Sequence, residues 1–148
     1  MMSEKERYFE DVDVGDDIGP FVRVPTMEQV VSYLNVWGVG GEMGSRFTDE
    51  EVAKREGLGS TIIPGNMTMG FVSQMLTDWA PLGELKSLEV TYKGMVRPGD
   101  TLTCKGIVVE TRSENGENLL ECDVFVENQK GEKPLVGRAV LAIPSMES

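Results

Sequence analysis

The fold of this chain is decided by residues 62–79, which read IIPGNMTMGFVSQMLTDW. The large apolar residues of this stretch recur at helical spacing and fall on two adjoining sides: Met67, Phe71, Met75, Val72, Leu76 and Trp79. Apolar side chains therefore cover most of the circumference of the helix. The pattern predicts a central helix that is buried on several sides, with the rest of the chain wrapped around it.

The residues that precede this helix predict a polar opening at its N-terminus. Pro64 holds Ile63 in an extended conformation, and Gly65 or Asn66 can occupy the cap position. The first N–H groups of a helix have no partner within it, and the helix dipole adds partial positive charge there. Such groups can stabilise a developing negative charge on oxygen, as in an oxyanion hole. A plain helix cap is the alternative interpretation.

Upstream of the central helix, the pattern predicts a short strand over 21–24 and an amphipathic helix from Thr26 to about Trp37. Thr26 and Gln29 form a capping box at the start of that helix. Residues 38–47 contain four glycines and are typical of a binding loop. A second capping box, of Thr48 and Glu51, predicts a short helix that runs through Glu56.

Downstream of Pro81, the apolar period changes from 3.6 to 2, which predicts a series of strands. The strand-like runs cover residues 88–92, 102–109, 120–126 and 136–143. Short turns join them, including an Asn-Gly hairpin turn at 115–116, so we expect an antiparallel meander. The fold class is α+β, with one antiparallel sheet wrapped around one long central helix. A single sheet cannot cover every side of that helix, so we expect a second copy or a partner.

Composition narrows the range of functions. The formal net charge of −11 disfavours binding to nucleic acid or to anionic membrane surfaces. Cys104 and Cys122 lie on alternating segments with no CxxC spacing and no histidine in the chain, so we expect two reduced core thiols and no metal. We also expect no cofactor. No apolar run is long enough to span a bilayer, and the charged first ten residues do not resemble a signal peptide. We therefore expect a cytoplasmic protein.

Four stretches, in this order and at suitable spacing, carry a family resemblance: YFEDVDVGD at 8–16, IIPGNMT at 62–68, RPGDTL at 97–102 and NQKGE at 128–132. Together they resemble the MaoC-like hot-dog family of (R)-specific 2-enoyl-CoA hydratases and acyl-thioester dehydratases. The resemblance covers almost all of the chain and implies a single hot-dog domain over 1–148. It also implies an acyl thioester, on CoA or on an acyl-carrier protein, as substrate or ligand.

The resemblance fails at the catalytic pair of the family. That pair is an Asp and a His five residues later, and this chain has Glu42 and Phe47 at those positions. Glu42 could act alone if burial raised its pKa toward neutrality, or it could be a solvated loop carboxylate. Phe47 cannot transfer a proton, so we expect it to fill the former imidazole site or to line an acyl chain.

Other site residues are carried over from the family or follow from charge. Gly65 matches the position whose N–H faces the thioester carbonyl, and Ser73 matches a serine that lines the site. A helix cap and a packing spacer are their alternative roles. Arg46 could bind a phosphate or carboxylate, or could be an ordinary surface arginine. The other candidate contacts to the ligand are Asn66, Lys93 and Arg97, with Lys86 and Lys105 on the same basic rim.

The sequence leaves three functions open. The first is a subunit that completes a heteromeric hydratase, with a partner chain supplying Asp and His in a heterodimer or heterotetramer. The segments 77–80 and 85–87 look like the non-catalytic member of such steroid-chain hydratases. The second is a homodimeric hydratase or dehydratase with an altered mechanism that uses Glu42, and the third is a regulatory protein that binds acyl-CoA without turnover. A thioesterase is disfavoured because no carboxylate occurs between Glu56 and Asp78.

Overall fold

A computed structural model describes residues 6–36 and 45–146. The elements in chain order are β1 (Asp17–Arg23), α1 (Met27–Val36), α2 (Glu50–Arg55), α3 (Gly65–Trp79), β2 (Glu84–Tyr92), β3 (Leu102–Glu114), β4 (Glu117–Glu127) and β5 (Leu135–Ala142). The five strands form one sheet in the order β1-β3-β4-β5-β2, and all neighbours are antiparallel. The predicted α+β class, with one sheet packed around one long helix, is confirmed.

The core lies between α3 and one face of the sheet. The inward side chains of α3 are Met67, Thr68, Val72, Met75, Leu76 and Trp79. Alternate residues of β3 and β4 face them, such as Leu102, Cys104, Leu120 and Cys122, because strand side chains alternate between the two faces. One stripe of the helix, Asn66, Gly70, Gln74 and Thr77, stays exposed. The expected burial on several sides is thus incomplete in the single chain, since one sheet covers only one broad side.

The strand order differs from the predicted meander. Strands β3, β4 and β5 form a meander, but β2 pairs with β5 at the far edge and does not contact β3. Strand β1 is longer than expected, because it includes Gly19 and Pro20, which look like a turn in the sequence. An edge strand tolerates proline because the side of the strand that faces away from the sheet needs no N–H for strand pairing.

Local signals at helix starts and turns are mostly confirmed. Gln29 Oε1 accepts from the N–H of Thr26 at 3.0 Å, and Thr26 Oγ1 accepts from the N–H of Gln29 at 3.2 Å, as a capping box requires. The second predicted box is wrong, because the cap of α2 is Asp49, whose Oδ1 accepts from the N–H of Glu51 at 2.9 Å. Thr48 instead shares a hydrogen bond with the Ser45 hydroxyl.

Both cysteines are free and fully buried, as expected of core thiols. Burial raises the pKa of the Cys104 thiol to about 11 and that of Cys122 to about 12. Both therefore remain protonated at neutral pH. Of the helices in the described ranges, none has the length and apolarity that crossing a membrane would require.

Candidate functional site

The N-terminus of α3 meets the sheet where β2 ends and β5 begins. Tyr92, the last residue of β2, pairs with Leu135, the first residue of β5. The segment before α3 runs beside this corner, because the N–H of Ile63 donates to the carbonyl of Val96 at 2.6 Å. The start of the central helix is therefore fixed against the end of the sheet.

A cavity of about 250 Å³ lies at this corner. Its wall is mostly apolar and includes Phe47, Ile62, Ile63, Val96, Pro134 and Leu135. Three of its lining residues have polar side chains, Arg46, Thr68 and Tyr92, and Gly65 at the start of α3 also lines it. An apolar cavity with a small number of convergent polar groups is typical of a small-molecule site.

Gly65 stands at the entrance of the cavity as the first residue of α3. In the part of the chain that the structure describes, no acceptor takes the N–H of Gly65 or that of Asn66. A Cβ at position 65 would lie 3.0 Å from the Tyr92 ring, so glycine lets the aromatic ring pack directly on the helix start. The N-terminal N–H groups of α3 are thus available to a ligand oxygen, with the helix dipole behind them.

Phe47 and Arg46 reach the same cavity from the loop before α2. The Phe47 ring is partly buried against the core, and its backbone N–H donates to the Ser45 hydroxyl at 3.2 Å. Arg46 pairs with Glu56 at 3.0 Å while 53% of its side chain remains exposed. A pair this exposed adds little stability, so Arg46 can exchange Glu56 for an anionic ligand at small cost. Glu42 lies outside the described residues.

The remaining candidates lie around the cavity rather than in it. Asn66 is exposed and lines an adjacent cleft of about 480 Å³, which shares Phe47, Gly65 and Tyr92 with the cavity. Ser73, two turns along α3, is half-buried and does not line either space. Lys93 is exposed, and among the described residues its side chain has no hydrogen bond or ion pair.

Arg97 is held by the backbone of the loop that leads to α3. Its Nη1 donates to the carbonyl of Ser60 at 2.9 Å and to the Ser60 hydroxyl at 2.7 Å, and its Nη2 donates to the carbonyl of Leu58 at 2.6 Å. These bonds engage both terminal nitrogens of the guanidinium within the chain. The observed role of Arg97 is to fix the loop that carries the cavity wall.

We expect Arg97→Met to lower the free energy of unfolding by about 2 kcal/mol, because hydrogen bonds from a charged donor to partly buried carbonyls are lost. Urea denaturation monitored by circular dichroism measures the change. Lys93→Met is the matched control, and it should change stability by no more than about 0.5 kcal/mol. Equal midpoints for the two variants would contradict the structural role of Arg97.

Two cavity residues, Tyr92 and Thr68, were not among the predicted site residues. The Tyr92 hydroxyl lies 3.9 Å from the Met69 sulfur, and partial burial, with a smaller effect of Tyr33, raises its pKa. It is therefore protonated at neutral pH and can donate a hydrogen bond. Thr68 follows Gly65 by three residues, a spacing that places both on one side of a helix. That spacing is the one sequence signal that could have identified Thr68.

Comparison with known proteins identifies related domains. The family model described as "MaoC like domain" matches residues 38–129, which is more than half of the chain. No curated protein sequence matches the chain.

Several solved structures share the fold. A monoamine oxidase regulatory protein from Archaeoglobus fulgidus superposes with a TM-score of 0.83 at 21% identity, covering 99% of each chain. The (R)-hydratase from A. caviae involved in PHA biosynthesis gives 0.81 at 16% identity, covering 91% of this chain and 99% of that one. The ChsH1-ChsH2 complex from Mycobacterium tuberculosis gives 0.75 at 19% identity, covering 88% and 98%. At these identities the likeness establishes a shared hot-dog fold.

Proposed function

The chain belongs to the MaoC-like dehydratase domain family, and from this premise we propose that it is an acyl-thioester-binding subunit that completes a heteromeric 2-enoyl-CoA hydratase. A partner chain supplies the Asp and His that this chain lacks. The two chains form a heterodimer or a heterotetramer. The location is cytosolic, an expectation consistent with the two free cysteines.

The observation that carries the proposal is the Phe47 ring on the wall of the cavity beside Gly65. Phe47 occupies the sequence position of the family histidine, and a phenyl ring cannot accept or donate a proton. Among the described residues that line the cavity, none carries a carboxylate, an imidazole or an amine. Hydration of an enoyl thioester requires a base for the water and an acid for the α-carbon. This half of the site therefore has binding groups without the proton-transfer groups.

The remaining features support thioester binding. The free N–H groups at the start of α3 can donate hydrogen bonds to the carbonyl oxygen of the thioester and stabilise the enolate that forms from it. The apolar wall of Phe47, Ile63 and Leu135 can exclude water from a short acyl chain. Arg46, which is half exposed at the rim, offers a cation to the phosphates of CoA or of a carrier protein.

The fold and the exposed stripe on α3 support assembly with a second chain. The stripe of Asn66, Gly70, Gln74 and Thr77 runs along the central helix and contains no charged residue. Among the similar solved structures is a complex of two differently named chains, ChsH1 and ChsH2.

Two alternatives follow from the sequence. In the first, the chain is a homodimeric hydratase or dehydratase with an altered mechanism, in which Glu42 serves both water and α-carbon in turn. In the second, the chain binds acyl-CoA and regulates another protein without turnover.

Mixing experiments test the heteromeric proposal. The candidate partner is a MaoC-like chain with an intact Asp and His. Its rate of hydration of crotonyl-CoA and longer 2-enoyl-CoA thioesters should rise on addition of this chain and level off at an equimolar ratio. The two chains should also co-elute in size-exclusion chromatography. Phe47→Leu in this chain should leave the mixed activity nearly unchanged, while replacing the partner's dyad histidine should abolish it. If addition of this chain leaves the partner's rate of enoyl-CoA hydration unchanged, the proposal is wrong.

A further inference from the structure

A second cavity lies at the opposite end of α3 from the cavity beside Gly65. Its volume is about 320 Å³, and it lies where the last turns of α3 face β1. Among the described residues, none lines both cavities. The helix has 15 residues, so its two ends lie about 21 Å apart. The second cavity is therefore separate from the proposed thioester site, and its volume is at the lower end of the ~300–1,000 Å³ typical of small-molecule sites.

The inner wall of the second cavity is apolar and largely aromatic. Trp79 and Met75 belong to α3 and are 7% and 1% exposed, and Phe21 lines the cavity from β1. Such a wall favours the apolar body of a ligand over water. The face of an indole ring also attracts a positive charge, because its quadrupole is negative there.

The C-terminal end of α3 makes the second cavity electrostatically negative. The last turn of the helix contains no basic residue, but it does contain Asp78. The helix macrodipole places partial negative charge at a C-terminus, so an aspartate there is unfavourable unless a cation lies nearby. Asp17 adds a second carboxylate to the lining. In the part of the chain that the structure describes, neither carboxylate takes part in a hydrogen bond or an ion pair.

Arg7 shows which kind of group this wall accepts. Its guanidinium lies over the Trp79 ring, 4.5 Å from the ring centroid, and its Nε donates to the Trp79 carbonyl at 2.6 Å. Arg7 also lines the cavity, but it forms no ion pair with Asp17 or Asp78. With two carboxylates, one guanidinium and the helix end, the lining carries an excess of negative charge. The cavity therefore combines open space and unpaired carboxylates with a ring that already holds a cation.

We propose that the second cavity binds a small organic cation, an ammonium group carried on an apolar body. Asp17 and Asp78 attract the ammonium group, and the Trp79 ring contacts the apolar groups that surround it. Asp17 and Pro20 are exposed at the rim, so a ligand can enter from solvent. Arg7 already lies on the Trp79 ring, and it therefore acts as an internal competitor of the ligand.

Choline and its neutral isostere 3,3-dimethyl-1-butanol test whether the cavity requires a positive charge. The two probes have the same shape, and choline alone is charged. The chain contains two tryptophans, so the full chain with Trp37→Phe reports binding through the fluorescence of Trp79. At constant ionic strength, choline should change this emission saturably, and the isostere should bind at least ~10-fold more weakly.

Substitutions in the lining locate the cation. Asp78→Asn should weaken choline binding about 5-fold, whereas Glu89→Gln on β2, at the opposite edge of the sheet, changes the net charge equally and should stay within about 2-fold. Arg7→Met removes the internal competitor and should tighten choline binding about 3-fold. Lys130→Met, in an exposed turn, is its charge-matched control and should stay within about 2-fold. Circular dichroism melting curves verify that each variant is folded.

Three other results would each overturn the inference. If choline and the isostere bind equally well, the cavity recognises an apolar shape and not a cation. If Asp78→Asn and Glu89→Gln have equal choline affinities, choline is attracted by the net charge of the chain and not by this cavity. If choline leaves the Trp79 emission unchanged even in Arg7→Met, no ligand reaches the ring. None of these results bears on the proposed function, whose site lies at the other end of α3.

Discussion

The isolated chain is expected to hydrate a 2-enoyl-CoA at least ~10²-fold more slowly than MaoC-like enzymes with an intact Asp and His, the usual scale for losing one acid/base group. Phe47 lies at the cavity where the family histidine is expected, and no other described residue of the wall is a base at neutral pH. Partial burial raises the pKa of the Tyr92 hydroxyl, so it stays protonated at neutral pH and cannot serve as the base. Initial rates at saturating crotonyl-CoA, with equal active-site concentrations, measure the deficit.

Substitutions at the two dyad positions separate the competing mechanisms. Phe47→His should raise the residual rate if the cavity retains the family geometry, whereas Phe47→Leu should not. Glu42→Gln should have little effect on a chain that only binds thioesters. A wild-type chain that turns over as fast as a dyad-bearing enzyme, with activity lost in Glu42→Gln, would instead establish the altered mechanism.

A large loss of stability is expected for Gly137→Ala. Gly137 lies in the middle of β5 and pairs with Val90 of β2 and Val124 of β4. A Cβ there would lie 2.3 Å from the backbone carbonyl oxygen of Glu89. A flexible side chain could rotate away from such an overlap, but a backbone atom in a paired strand cannot. Strand β2 would have to move away from β5. We expect a loss of about 3 kcal/mol in the free energy of unfolding, the upper range for overpacking.

Urea denaturation of Gly137→Ala and Gly94→Ala provides the comparison. A Cβ on Gly94 would lie 3.8 Å from its nearest neighbour, Pro134, which is ordinary contact. Gly94→Ala should therefore change stability by no more than about 0.5 kcal/mol. Because Tyr92 and Leu135 form the cavity corner at one end of the β2–β5 pair, Gly137→Ala should also weaken thioester binding. If the two variants were equally stable, β2 would accommodate the added Cβ at position 137 without any loss in the free energy of unfolding.

Features set by neighbouring residues could be predicted from the sequence. The apolar spacing of residues 65–79 determines a helix, and the Thr26–Gln29 box determines where α1 begins, because the interacting groups are a few residues apart. The hairpin at Asn115 and Gly116 is equally local, since both residues adopt positive φ, at 52° and 82°. The family resemblance adds the hot-dog fold to these local features.

Tertiary structure decided which distant segments meet. Alternation predicts that β2 is a strand, but it carries no information on its partner, and pairing with β5 rather than β3 creates the cavity corner. The same contact places Tyr92 over Gly65, while packing of α3 against the sheet seals the Thr68 hydroxyl from water. Arg97, basic in sequence and therefore a candidate for phosphate, is instead directed to the carbonyls of Leu58 and Ser60. Local periodicity reports which face of an element is apolar, whereas the partner of each polar group depends on contacts between segments far apart in the chain.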